Sequence, residues 1–320
     1  MGAETTVSVV IPTYHRPDYL QRAVRSVLAQ SLPGDTDLEV VIAISDANAP
    51  ADRRAADALA LEDHRVRVVV ASRTGPSAAR NTGMAAAKGE LLVLLDDDCE
   101  AQAGWLVAGI QRLDEVELVQ GRTLPAEPIT HPFDRSIWVV GLSGLWESCN
   151  LFLRRSVIDR HGGFDEDWNP TGKTGEHWGE DTEWGWRVVR GGTTSTFEPA
   201  AIVHHAVFRQ TFREWFRYET KVRYFPLLVK EIPELRSAYL YDRYFFMKRH
   251  RTLTAGVALL ATAAAADLLG YRRTARQVAL LAAVPMSSAH ARRVFYWAEQ
   301  EWVHYGALAY GSVRYRRVVL

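Results

Sequence analysis

The feature that most constrains this chain is a repeated alternation within its first 95 residues. Residues 7–12, 38–44, 66–71 and 91–95 are short and almost wholly apolar. Between them lie residues 18–30, 51–61 and 77–88, whose apolar side chains recur at helical spacing. Leu20, Ala23, Val24, Val27 and Leu28 line one face of the first of these. Brief apolar runs bounded by turn residues read as strands buried on both faces. Strand and helix in alternation predict an α/β fold, a Rossmann-like, mostly parallel sheet flanked by helices. Ligands of such sheets lie beyond the carboxyl ends of the strands. Three predicted strands end there in polar groups: Pro12-Thr13-Tyr14, Ser45-Asp46 and Asp96-Asp97-Asp98.

After Glu100 the pattern loosens. A helix is expected over 105–113, a strand over 118–123, a mixed Gly/Ser stretch over 138–153, a Gly- and Trp-rich loop over 168–179, a helix over 181–191 and a short strand over 201–204. Beyond Thr211 the chain reads as helical. The expected organisation is a ligand-binding and catalytic domain over 1–210 and a helical C-terminal region over 211–320. Two apolar runs in that region, 252–266 and 278–284, are each shorter than the roughly 20 residues that span a bilayer.

Charge narrows the function classes. Lys+Arg and Asp+Glu balance at 38 each, which argues against a nucleic-acid binder. From Ala206 onward, however, 19 basic residues face 8 acidic ones. That third of the chain suits a peripheral contact with an anionic membrane surface, a homodimer contact, or simply solvated helix faces. Cys99 and Cys149 form neither a disulfide framework nor a zinc spacing. The first residues have no basic segment followed by an apolar one, so a cytoplasmic setting is expected, with peripheral attachment to the inner face of the membrane open.

Four local patterns carry chemistry. The first is Asp96-Asp97-Asp98 at the end of an apolar strand. Three adjacent carboxylates repel one another, and a divalent cation bridging to phosphate would offset that cost; a solvated acidic turn would read the same way. The second is Gly75-Pro76-Ser77 opening a helix, with Ser77 as its expected N-cap and Arg80 one turn inside. That arginine suits a phosphate or carboxylate, or an ordinary exposed face. In the third, Glu180-Asp181 opens a helix, where acids complement the macrodipole and where a general base would also serve. The fourth, His204-His205, follows an apolar strand and suits either metal ligation or packing.

Taken together these patterns resemble the inverting glycosyltransferases of GT-A fold known as family 2, over residues 7 to 205. Val9-Val10-Ile11-Pro12-Thr13-Tyr14-His15-Arg16 is similar to the family's opening strand. Arg80-Asn81-Thr82-Gly83 through Asp96-Asp97-Asp98 resembles its Arg-Asn-x-Gly segment and Asp-x-Asp motif. Gly162-Gly163-Phe164-Asp165-Glu166 and Gly179-Glu180-Asp181 match the next landmarks in order. The resemblance implies a sugar-nucleotide donor, with UDP favoured. Pro12, Tyr14 and Asp46 would hold the base, Arg80 would lie near the base and phosphates, and Asp96 and Asp97 would contact the donor. Asp98, with Asp96 and His204, would hold Mn²⁺ or Mg²⁺. Asp181 would be the catalytic base, with Glu180 beside it. Ser45 departs from the family's Asp-Asp pair at the second strand, and the last 110 or so residues match none of its motifs.

Two rival readings make different demands. A sugar nucleotidyltransferase needs a Gly-rich phosphate loop after the first strand, where Pro12-Thr13-Tyr14-His15-Arg16 has no glycine. A nucleotide-sugar-binding protein without turnover would have no use for both the acidic triplet and Glu180-Asp181. The acceptor class stays open. Trp146, Trp168, Trp178, Trp184 and Trp186 are candidates for a sugar-stacking platform or for core filling.

Overall fold

The computed structural model describes residues 5–34, 36–168, 178–248, 250–274, 276–279 and 291–320, with side chains in the last segment from 302 onward. The chain divides into two compact units, Met1–Thr130 with Asp134–Arg209, and His131–Phe133 with Gln210–Leu320.

The first unit follows the expected alternation. β1 (Thr5–Thr13), α1 (Pro17–Leu28), β2 (Thr36–Ile44), α2 (Pro50–Glu62), β3 (Val66–Val70), α3 (Pro76–Ala86) and β4 (Leu91–Leu95) come first. They are followed by β5 (Cys99–Ala101), α4 (Trp105–Arg112), β6 (Leu118–Pro125), β7 (Asn150–Arg154), α5 (Arg155–His161), α6 (Glu180–Arg190) and β8 (Ser195–His205). The eight strands make one sheet in the order β3-β2-β1-β4-β7-β6-β8-β5. The β3-β2-β1-β4 block is parallel throughout, and its central residues are fully buried. On α1 the predicted face, Leu20, Ala23, Val24 and Val27, is the face that is buried.

Beyond β4 the sheet becomes mixed. β7 enters antiparallel between β4 and β6, and β8 runs parallel to β6. Sequence patterning misses β7, since it begins with a polar residue after a Gly/Ser stretch. Its start is organised by a buried side chain instead. Asn150 Oδ1 accepts from Trp105 Nε1 at 2.8 Å, and its Nδ2 donates to the carbonyls of Arg122 and Ala201 at 2.9 and 3.0 Å. A buried amide with all these bonds made specifies one geometry.

The start of α3 differs from expectation. Ser77 is not its cap: Pro76 is the first helical residue and Gly75, at φ +144°, precedes it. Proline supplies a helical φ and lacks an N–H that would go unpaired there. Gly83 sits where α3 crosses β1, and a Cβ there would lie 2.3 Å from Val10 Cγ1, so glycine permits the close approach.

The second unit contains α7 (Phe212–Glu219), a 3₁₀ turn (Thr220–Tyr224), α8 (Phe225–Glu231), α9 (Leu235–Ala238), α10 (His250–Leu268) and α11 (Ala291–Tyr315). Thr211 and Glu214 form a reciprocal capping box that starts α7. Phe225, Tyr239 and Phe246 pack as an aromatic cluster, and His304 meets Glu219 beside it. The apolar run at 252–266 lies within α10; the run at 278–284 passes outside the described residues. Among the described residues no helix is long and apolar enough to cross a membrane.

Candidate active site

The carboxyl ends of β1, β2 and β4 carry the predicted donor residues. Tyr14 is half exposed and meets the His15 ring edge-on at 4.3 Å between centroids. His15 Nε2 lies 3.4 Å from Asp46 Oδ2. Pro12, Tyr14 and Asp46 therefore stand at one edge of the parallel block, as their register dictates: Pro12 pairs with Ala43, and Thr13 with Ile44. Ser45, the departure from the family pattern, has a structural role. Its Oγ accepts from the Gly75 N–H at 2.9 Å, which ties the end of β2 to the first turn of α3.

The loop after β1 is held by a residue that sequence reading missed. Asp52, fully buried in the first turn of α2, accepts from the backbone N–H groups of His15 and Arg16 at 2.6 and 3.1 Å. This turns Arg16 toward the acidic triplet. Arg16 Nη1 lies 3.3 Å from Asp97 Oδ1 and contacts Asp98 Oδ2. Asp97 also accepts from Thr13 Oγ1 at 2.7 Å. Burial, reinforced by the neighbouring Asp98, pushes the Asp97 carboxyl up to about 7. Burial alone would lower Arg16, but Asp98, Asp97 and Asp96 hold its guanidinium above the usual value. Arg16 was legible only as part of a motif; a cation four residues beyond a strand end that faces three aspartates was the available signal.

Asp96 is engaged differently. Arg80, nearly fully buried, donates from Nη2 to Asp96 Oδ1 at 2.9 Å, and its Nη1 lies 3.5 Å from Glu180 Oε1. One guanidinium thus joins the triplet to the start of α6. Burial opposes its charge, and Asp96, Glu180 and Asp181 more than compensate. Asn81, the next residue, donates from Nδ2 to the Phe164 carbonyl and accepts the Phe164 N–H at Oδ1, both at 2.8 Å. The Arg-Asn pair therefore ties α3 to both later landmarks. Asp181 is pushed well up, first by burial and then by Glu180, against the opposing pull of Arg80; Glu147 adds to the rise.

The structure brings His205, rather than His204, to the aspartates. His205 Nε2 lies 3.4 Å from Asp98 Oδ1 and the ring is buried, while His204 Nε2 faces Gln102 Oε1 at 3.3 Å on the other side of β8. Successive strand residues point to opposite faces, so only one of two adjacent histidines can turn inward. Among the described residues no three His, Cys, Asp or Glu side chains already converge as a metal cage. The donor chemistry still fits a hard divalent cation. Asp98 is buried against an imidazole, and the negative charge of the Asp97-Asp98 pair is already drawing in a cation, the Arg16 guanidinium. Mg²⁺-like ions take one or two carboxylates and fill the rest of their shell with waters and phosphate oxygens.

Of the tryptophans, Trp184 is fully buried and stacks on Phe164 at 4.9 Å, and Trp146 is buried, so both fill the core. Trp186 Nε1 donates to the Gly144 carbonyl at 2.8 Å. Trp168 and Trp178 flank the loop expected at 168–179, most of which lies outside the described residues.

Comparison with known proteins identifies the family and the fold. Residues 8–167 match Glycosyl transferase family 2. The pre-mycofactocin glycosyltransferase of Mycobacterium tuberculosis is 32% identical over 158 residues, covering 44% of this chain and 32% of that protein, so the match spans about a third of its length. Glycosyltransferase AglE of Haloferax volcanii is 26% identical over 224 residues, covering 66% of this chain and 71% of that one. Succinoglycan biosynthesis protein ExoM of Rhizobium meliloti is 28% identical over 216 residues, covering 63% and 67%. Among solved structures, a mannosyltransferase from Pyrobaculum calidifontis, in complex with GDP-Man and Mn²⁺, superposes with a TM-score of 0.61 at 19% identity, over 97% of this chain and 86% of that one. The chain belongs to glycosyl transferase family 2 and has the GT-A fold.

Proposed function

We propose that this glycosyltransferase moves a sugar from a nucleotide-sugar donor to an acceptor hydroxyl with inversion at the anomeric carbon. The observation that carries the reading is Arg80, within reach of both Asp96 and Glu180, so that the donor motif and the base motif share one site. Pro12, Tyr14 and Asp46 receive the base, and Asp96 and Asp97 face the ribose and diphosphate. Uracil, with one N–H between two carbonyls, suits a single carboxylate acceptor at Asp46. The GDP-Man complex of the fold neighbour makes GDP the nucleotide to test beside UDP.

Asp181 takes the proton of the acceptor hydroxyl. The oxygen attacks the anomeric carbon as the bond from that carbon to the diphosphate oxygen breaks, and the electron pair leaves with the nucleotide. Asp98 and Asp96, with His205, would hold Mn²⁺ or Mg²⁺, and when bound that ion supplies Lewis-acid neutralisation of the leaving diphosphate. Burial that raises Asp181 makes it a stronger base once ionised. The second unit, with Phe212 and Phe216 exposed on α7 beside Arg213 and Arg217, suits a peripheral membrane contact or a second copy of the chain.

The test is a thermal-shift titration with UDP, GDP, dTDP and CDP, each with and without Mn²⁺, on the wild type and on Asp181→Asn. A ligand of the native state at a hundredfold excess over its Kd adds about 2.7 kcal/mol. We expect a manganese-dependent shift with one nucleotide in both proteins, and transfer only in the wild type. No shift with any nucleotide, or full transfer by Asp181→Asn, defeats the reading.

A further inference from the structure

A third carboxyl, Glu147, lies near the candidate base and takes no part in the proposed mechanism. Glu147 lies three residues before the start of β7, whose first residue pairs with Leu95, the neighbour of Asp96. It is therefore at the same sheet edge as the acidic triplet. Its side chain is close enough to Asp181 to raise that group's affinity for a proton.

The segment that carries Glu147 is built as a rigid attachment to α6. Thr182 Oγ1 donates to the Leu145 carbonyl at 2.7 Å, and Trp186 Nε1 donates to the Gly144 carbonyl at 2.8 Å. The Trp146 ring lies against Gly185, where a Cβ would approach Cγ of the indole to 2.2 Å. Trp146 itself adopts φ +58°, a left-handed conformation that a bulky residue takes up at a cost. The resulting turn seats the indole in the core. From the far side, Gln120 Nε2 donates to the Glu147 carbonyl at 3.1 Å. Asp181 and Glu147 are thus held on one body, from two segments remote in sequence.

Among the described residues the Glu147 carboxyl has its own backbone N–H as hydrogen-bond donor, and burial raises it to about 7. The guanidinium nearest Asp181 is Arg80, which Asp96 and Glu180 already engage. A ligand entering between Glu147 and Asp181 meets carboxyl groups that its own groups must satisfy. Hydroxyls do so in either protonation state of Glu147, whereas a phosphate is repelled once Asp181 is ionised, as it must be to act as base.

We propose that Glu147 belongs to the acceptor subsite and hydrogen-bonds a hydroxyl adjacent to the one that Asp181 deprotonates, so that the acceptor is a neutral polyol, a sugar or cyclitol with neighbouring hydroxyls, rather than a phosphate nucleophile. The proposal rests on the reading of Asp181 as base and names the acceptor class for that site.

The test uses the full chain with Mn²⁺, UDP-glucose and GDP-mannose as donors, and methyl β-glucoside, myo-inositol and undecaprenyl phosphate as acceptors. We expect transfer to a neutral polyol. Glu147→Ala raises KM for that polyol by about ten- to a hundredfold, the loss of one hydrogen bond to a chargeable group. The nucleotide-induced thermal shift stays at the wild-type level, which shows that the variant is folded. Glu147→Gln, which still offers a donor and an acceptor, restores most of the affinity. An unchanged polyol KM in Glu147→Ala, or undecaprenyl phosphate as the acceptor of the wild type, overturns the proposal. Asp181→Asn separates the two readings: if it retains transfer the base assignment falls, while the KM of the Glu147 variants still decides the acceptor subsite.

Discussion

Arg80 Nη2 stands 2.9 Å from Asp96 Oδ1, which makes a residue of α3 the partner of the acid at the end of β4. The same guanidinium reaches Glu180 at the start of α6, and its own side chain is almost wholly buried. Removing one member of a buried charge group leaves the others uncompensated, at about 3 kcal/mol or more. Arg80→Ala should therefore lower the melting temperature by roughly 6–12 °C and reduce transfer by at least about a hundredfold. Arg80→Lys keeps the charge but not the fork, and should recover stability more than rate. Calorimetry beside a transfer assay measures both; equal recovery of the two would argue against the bridging role.

The two histidines of β8 make opposite predictions. His205 Nε2 is 3.4 Å from Asp98, and His204 faces Gln102. His205→Ala should weaken Mn²⁺-dependent stabilisation in the presence of nucleotide by about tenfold or more in apparent metal affinity. His204→Ala should leave it unchanged. A manganese titration monitored by thermal shift decides, and the reverse pattern would return the role to His204.

Gly185 is the contact point between α6 and the segment that carries Glu147. A Cβ there meets the Trp146 indole at 2.2 Å, with its Cδ1 at 2.4 Å. Both sides are well packed, so Gly185→Ala should cost about 1–3 kcal/mol. It should also lower transfer, because relief of the clash moves Glu147 relative to Asp181. Chemical denaturation and a transfer assay check this; an alanine variant with wild-type stability and rate would show that the contact gives way freely.

Glu147 also predicts a pH dependence of stability. Its folded-state proton affinity is raised by burial, from the usual 4.5 to about 7. Between those values the folded state holds more of this proton than the unfolded state does. The stability that Glu147 contributes is therefore complete below about pH 4.5 and is lost as pH rises through about 7. Glu147→Gln removes this titration at nearly constant shape. The variant should gain stability relative to wild type between pH 5 and pH 8, read as a difference in melting temperature. A constant difference across that range would mean that the carboxyl is not shifted.

Much of the fold was legible because it was encoded locally. The apolar runs over 7–12, 38–44, 66–71 and 91–95, separated by amphipathic helices, identify a parallel block, and they put Tyr14, Asp46 and Asp96-Asp97-Asp98 at one edge by register alone. Arg80 and Glu180-Asp181 could be named from their motifs. That one buried guanidinium joins them could not, because the two motifs are a hundred residues apart and meet only through α3 and α6.

Sequence by itself determined the alternation, the class of sheet, the edge where ligands gather and the residue types that could serve there. Tertiary structure decided the pairings. Which of two adjacent histidines turns toward Asp98 depends on the pleat of β8 against its neighbours. The place of Arg16 against Asp97 and Asp98 depends on a loop held by buried Asp52. The position of Glu147 beside Asp181 depends on a left-handed Trp146 seated on Gly185. In each case the deciding contact is between segments far apart in the chain, where local propensity carries no information and packing selects one geometry.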